Sequence, residues 1–237
     1  MSGLVQQVLA VGAVVLAQLP SPETLQASQV SWDPDSVHVL VNRQNPLEPV
    51  DYSPEDLVEL EVRTSVDDPV YMREEPADSV EELFDDALDE GITLAVTSGY
   101  RSFDAQARIY SARHAQHGTE GTDEFAARPG YSEHQTGLAV DVISIDNPEC
   151  IIGECFNETP EFEWLEESAH NYGFIIRYPE GKEHITGFAY EPWHLRYVGA
   201  ETAEEIVALN LTLEEYWRQP AAPDYDDADP DPDQLSD

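Results

Sequence analysis

The sequence predicts an α+β fold: a single domain in which a small, mainly antiparallel sheet is flanked by helices. Three observations lead there. Helix-start signals recur along the chain, as capping boxes at Ser79 and Thr212 and as an N-cap followed by proline at Thr159. Short apolar runs of strand length lie between them, joined by turns and short helices rather than by repeated parallel-sheet crossovers. The apolar content, 41% of 237 residues, suffices for one core.

Taken in order, residues 1–35 read as an apolar leader and a linker. Leu4 to Leu19 (LVQQVLAVGAVVLAQL) is short for a membrane span and about right for a signal-peptide core. The first basic residue is Arg43, so the usual positive region ahead of such a core is missing. Export or attachment to the cell envelope is the expectation; a helix packed on the domain, or hanging free, is the alternative. Pro20 to Pro34 is rich in Pro, Ser, Gln and Asp without periodicity, as linkers are.

The folded unit is expected over residues 36–218. Ser79-Val-Glu-Glu82 begins a helix that carries Leu83, Phe84, Ala87 and Leu88 and closes at Gly91. Ile92, Leu94 and Val96 alternate as a strand that runs into Ser98-Gly99-Tyr100-Arg101. A second helix covers about Asp104 to Gln116 and stops at Gly118. Gly137 to Ile143 is a strand, with His134 in the turn before it. Thr159-Pro160 opens a helix that turns Phe162, Leu165, Ala169 and Tyr172 toward the core. Phe174 to Arg177 and Trp193 to Val198 are short strands, and Thr212 opens a last helix to Trp217. Residues 219–237 are expected to be a disordered acidic tail, because from Ala221 onward the sequence offers almost nothing to bury.

Charge narrows the partners. Acidic residues number 49 against 11 basic ones, a formal net charge of -38, and the only lysine is Lys182. The balance argues against nucleic acid as a partner, because phosphate binding needs clustered cations. A salt-rich habitat and a plain solvated acidic surface both remain open. Cys150 and Cys155 bracket a loop that a disulfide could close; free thiols are the alternative.

Two segments place metal-binding side chains among glycines and aromatics: Gly130 to Asp141, with His134 and Asp141, and Tyr190 to Tyr197, with Glu191 and His194. Two histidines and one carboxylate meet the ligand count of a catalytic zinc site, which leaves Glu191 for general-base work. Pro192 biases Glu191 to an extended conformation. In a flat strand Glu191 and His194 would face opposite sides, so a shared metal requires a turn between them. By spacing alone each histidine could equally be structural, and Arg101 could be a surface ion pair. Trp193 and Tyr190 fit either the core or the wall of a site.

The wording SGYRSFDAQ (98–106), GYSEHQTGLAVDV (130–142), YGFIIRYP (172–179) and ITGFAYEPWHLRYVG (185–199) resembles the VanY-type D-alanyl-D-alanine carboxypeptidases of the M15 metallopeptidase family. The likeness spans about residues 38–217, including VNRQNPL (41–47) and LTLEEYW (211–217), with the motifs in family order. It implies a hedgehog/DD-peptidase-like fold and one Zn2+ held by His134, Asp141 and His194. It further implies Glu191 as catalytic base, Arg101 facing the substrate, and Gln106 and Ser132 lining the pocket. The last two could otherwise be a helix-surface and a turn residue. The implied reaction is removal of the terminal D-alanine from peptidoglycan stem peptides or their precursors, by a monomer with no tight protein partner. An L,D-carboxypeptidase or an endopeptidase of the same family is the near alternative, and a non-catalytic wall-binding module the distant one.

Overall fold

The computed structural model describes residues 29–147, 150 and 155–226, so the predicted leader and the acidic residues from 227 onward lie outside the described residues. A hairpin-like pair, β1 (Leu57–Glu59) and β2 (Tyr71–Arg73), leads into helix α1 (Glu74–Asp89). Strand β3 (Leu94–Ser98), helix α2 (Phe103–Asp123) and strand β4 (Ala139–Ser144) follow. After α3 (Pro160–Ser168) come β5 (Phe174–Ile176), the single turn α4 (Glu183–Thr186) and β6 (His194–Tyr197). Helices α5 (Ala200–Leu209) and α6 (Leu213–Tyr216) end the domain. The main sheet has the order β3-β4-β6-β5 and is antiparallel throughout. Among the described residues no helix is long and apolar enough to cross a membrane.

The expected α+β architecture is present, with local corrections. Helix α1 begins at Glu74, five residues before the predicted capping box, and has no side-chain cap. Its acidic first turn, Glu74 and Glu75, meets the positive end of the helix instead. Gly91 closes it at φ +85, where a side chain would be strained. Gly118 does interrupt α2, but as a kink (φ 69, ψ 179) after which one more turn follows. Thr159 and Thr212 cap α3 and α6 as their sequences require, the latter in a full capping box with Glu215.

Alternation along the strands sorts the sheet into two faces. Val140, Val142, Phe174 and Leu195 point into the main core with Leu83, Ala87 and Leu165. Asp141, His194 and Arg196 lie on the other face, where Ile175 joins a second cluster with Ile206, Leu213 and Trp217. The polar residues therefore need partners of their own on that side.

The boundary predicted at residue 218 moves outward. Ala222 is fully buried and its N–H donates to the carbonyl of Ile185 (2.8 Å). Tyr225 lies under the guanidiniums of Arg128 (4.1 Å) and Arg43 (5.3 Å), and its hydroxyl accepts from the Arg128 N–H. An aromatic ring between two cations is what a composition-based expectation of disorder overlooks.

Two tyrosines donate to carboxylates of α1. Tyr172 donates to Asp86 (2.6 Å) and Tyr197 to Glu75 (2.8 Å), tying α1 to the elements that precede β5 and form β6. Burial and these carboxylates push both phenols up to about 12. The folded state thus holds these protons more tightly than the unfolded chain, whose tyrosines titrate near 10. Their contribution is fully present below pH 10 and is lost as the pH rises toward 12. Thermal unfolding followed across that range should show the melting temperature falling together with tyrosinate absorbance. A melting temperature that stays flat through the tyrosine titration would remove these pairs from the account.

Candidate metal centre

Strand pairing brings the predicted ligands together. Asp141 and His194 are direct cross-strand partners in the β4–β6 ladder, so their side chains rise from the same face. His134 comes from the 3-10 turn Glu133–Thr136 that enters β4, and that turn ends at Gly137 in the left-handed region (φ 69). Two hydrogen bonds fix it to the end of β3: the Arg101 N–H donates to the His134 carbonyl (3.1 Å), and His134 Nδ1 donates to the Gly99 carbonyl (2.7 Å). Gly99 is required there, because a Cβ would sit 2.5 Å from the carbonyl oxygen of Tyr71. A bulge after Val96 sets Ser98, not Thr97, opposite Asp141 and aims the following residues at the site.

One donor atom each from His134, Asp141 and His194 lies within 4.8 Å of the other two. The turn demanded by Pro192 is present: the His194 N–H donates to the Glu191 carbonyl (3.1 Å), and Glu191 Oε2 stands 3.9 Å from His194 Nδ1. Glu191 and His194 consequently face the same point as Asp141 and His134.

The donor chemistry calls for a cation. Since His134 Nδ1 carries the proton given to Gly99, the Nε2 of the neutral ring is a lone pair, and it faces Asp141 Oδ2 at 3.2 Å without a hydrogen bond. Burial and the Arg101 charge push His134 down to about 4, so protonation does not relieve that contact near neutral pH. His194 Nδ1 meets the other carboxylate oxygen, Asp141 Oδ1, at 3.1 Å. Burial pulls His194 down as well, but hydrogen bonds to Asp141 and Glu133 prevail and hold it up at about 9. Two nitrogens and an oxygen aimed at one point suit a divalent metal of intermediate softness.

Glu191 is 7% exposed, and burial pushes its carboxyl up to about 8. Arg101 Nη2 is 3.9 Å from Asp141 Oδ2, its Nη1 donates to Gln106 Oε1 (2.9 Å), and its Nε is buried without a partner. Gln106 in turn donates to the Ala127 carbonyl (2.7 Å), so its place is behind Arg101 rather than on a helix surface. Ser132 is buried beside them. Together with Phe125, Tyr178 and Phe188 these residues line a cleft of about 40 Å³. Trp193 is in the main core and Tyr190 packs against it. Cys150 and Cys155 are joined as a disulfide.

Sequence reasoning missed a buried ion network behind the site. Glu133 Oε1 accepts from Arg177 Nε (2.8 Å) and Arg196 Nη1 (2.7 Å), and Arg177 also grips both oxygens of Glu214 (2.6 and 3.0 Å). All four side chains are fully buried. The signal was an arginine directly after one apolar strand, FIIR, and within another, HLRY, because a buried cation must be paired. Glu214→Ala would leave Arg177 partly uncompensated and should cost about 3–5 kcal/mol of stability, measurable by denaturant unfolding. A loss below 1 kcal/mol would mean the pair is solvated.

The VanY family, D-alanyl-D-alanine carboxypeptidase, matches residues 69–200. An Enterococcus faecalis (strain ATCC 700802 / V583) D-alanyl-D-alanine carboxypeptidase is 38% identical over 211 residues, 85% of this chain and 73% of that protein. Among solved structures, the LdcB LD-carboxypeptidase is 42% identical with a TM-score of 0.74, covering 82% of this chain and 94% of its own. A variant of the vancomycin-resistance D,D-pentapeptidase VanY in complex with Zn(II) is 34% identical with a TM-score of 0.63, covering 78% and 99%.

Proposed function

The chain belongs to the VanY family of D-alanyl-D-alanine carboxypeptidases, and on that premise we propose that it is a zinc enzyme that hydrolyses the terminal D-alanine from peptidoglycan stem peptides. The observation that carries the metal is the buried lone pair of His134 Nε2 set against Asp141 Oδ2. His134, Asp141 and His194 are the residues that would hold the zinc, with His134 Nε2, an Asp141 oxygen and His194 Nδ1 as the donor atoms on the shared side. A zinc ion so held supplies Lewis acidity and brings the pKa of water down to roughly 7.

The remaining work falls to the chain's own groups. Glu191, on the same side as the ligands, takes the proton of the attacking water on its carboxylate and returns it to the departing amine of D-alanine. Burial raises the proton affinity of this carboxylate, which favours its taking the proton from water. Arg101, held by Gln106 and left with an unsatisfied Nε–H, donates to the scissile carbonyl oxygen or the terminal carboxylate. A cation at this point also offsets the repulsion that a surface of net charge -38 exerts on an anionic peptide end. Phe125, Tyr178 and Phe188 give the cleft an apolar wall beside these polar groups. The Cys150–Cys155 disulfide supports a location outside the cytoplasm.

The higher TM-score to LdcB, 0.74 against 0.63, favours a second reading in which D-alanine is removed after an L-centre. Synthetic stem peptides ending in D-Ala-D-Ala, or in one D-alanine after an L-residue, separate the two by the D-alanine released. Release from the first supports the D,D reading, and release from the second alone replaces it with the L,D reading. Release from neither leaves cleavage inside the stem.

A further inference from the structure

Glu133 divides its two oxygens between different tasks. Oε1 accepts from both Arg177 and Arg196, at 2.8 and 2.7 Å, while Oε2 faces His194 Nε2 at 3.4 Å. Each arginine is itself anchored elsewhere: Arg177 on Glu214, and Arg196 on the carbonyls of Val37 (3.1 Å) and Val39 (2.7 Å). The carboxylate therefore cannot rotate without breaking two buried ion pairs. Both His194 nitrogens face carboxylates that only accept, Nδ1 toward Asp141 Oδ1 at 3.1 Å and Nε2 toward Glu133 Oε2, so once a metal takes Nδ1 the remaining ring proton is the one on Nε2 against Glu133.

We propose that Glu133 is a positioning residue for the metal: locked by Arg177 and Arg196, it retains the His194 proton on Nε2 and so leaves Nδ1, on the side of Asp141 and Glu191, as the nitrogen available to the metal. The proposal rests on His194 being a metal ligand. His134 receives the complementary treatment from the Gly99 carbonyl, which takes the Nδ1 proton and leaves Nε2 as the lone pair. One backbone carbonyl and one clamped carboxylate thus present opposite nitrogens of two edge-to-face rings, 4.9 Å apart, to a single point. The arginines also keep Glu133 from acting as a ligand itself, because both bind the oxygen turned away from His194. Outer partners of this kind are typically worth 10–100-fold in metal affinity.

The test is competition for zinc between the full chain and a chelator of known affinity, for wild type, Glu133→Gln and Leu83→Ala. Glu133→Gln should bind zinc roughly 10–100-fold more weakly. Leu83→Ala, a core truncation in α1 remote from the site, should lower the melting temperature and leave zinc affinity at the wild-type value. Equal affinity in Glu133→Gln and wild type overturns the inference and leaves the metal assignment standing, whereas a wild-type chain that takes up no zinc overturns both. Should Glu133→Gln fail to fold, the nitrogen-15 histidine spectrum of the zinc-loaded wild type decides. A proton on His194 Nε2 supports the inference and a proton on Nδ1 sinks it.

Discussion

His134→Ala gives a folded protein that no longer retains zinc through gel filtration and releases no D-alanine. The substitution removes the lone pair that faces Asp141 Oδ2 and leaves a two-ligand site. The loss of affinity exceeds the roughly 100-fold that removal of an outer partner costs, because a first ligand is gone rather than its support. Folding should survive, since the side chain contributes one hydrogen bond, to Gly99, and the turn is still held by the Arg101 N–H bond to its carbonyl. Circular dichroism and metal analysis on the same sample check both halves. Retention of one zinc per chain by His134→Ala would place the metal elsewhere.

Glu191→Gln separates chemistry from binding. The amide keeps the size of the carboxylate and cannot accept the proton of water, so turnover falls by about 10²–10⁴-fold while zinc content stays at the wild-type level. No ligand is altered: the carboxylate stands 3.9 Å from His194 Nδ1, beside the three donors rather than among them. The prediction also sorts enzyme from wall-binding module, since a binder would keep its affinity for stem peptide with no turnover to lose. Zinc analysis and D-alanine release on one preparation give the answer, and a variant with undiminished turnover would move the general base to another group.

How much of this was legible before the fold is visible in particular residues. That His134, Asp141, His194 and Glu191 would converge, and that a turn would follow Glu191, could be read, because their wording matches a family and because proline constrains its neighbour. Thr159 and Thr212 announced their helices through local chemistry that the fold does not override. Ser79 looked like the same signal and is an interior residue of α1, since the apolar face of Ala77, Val80, Leu83, Phe84 and Ala87 continues through it. Strands of three residues such as β1 and β2 carry too little periodicity to be recognised. Helix α5 had no capping side chain, its N-cap being Gly199.

The docking of Tyr225 and the clamp on Glu133 depend on partners far along the chain, Arg43 and Arg128 in one case and Arg177 and Arg196 in the other. Burial of that kind is decided by tertiary contact, and composition argued the other way for the tail.

The central claim is that one zinc sits between His134, Asp141 and His194 with Glu191 beside it. Anomalous diffraction at the zinc edge from crystals of the zinc-loaded protein tests it directly. The account predicts a single strong peak about 2.0–2.2 Å from His134 Nε2, an Asp141 oxygen and His194 Nδ1, with Glu191 outside the coordination shell. A peak at any other group, or a coordinating bond from Glu191 in place of one of the three, would contradict it.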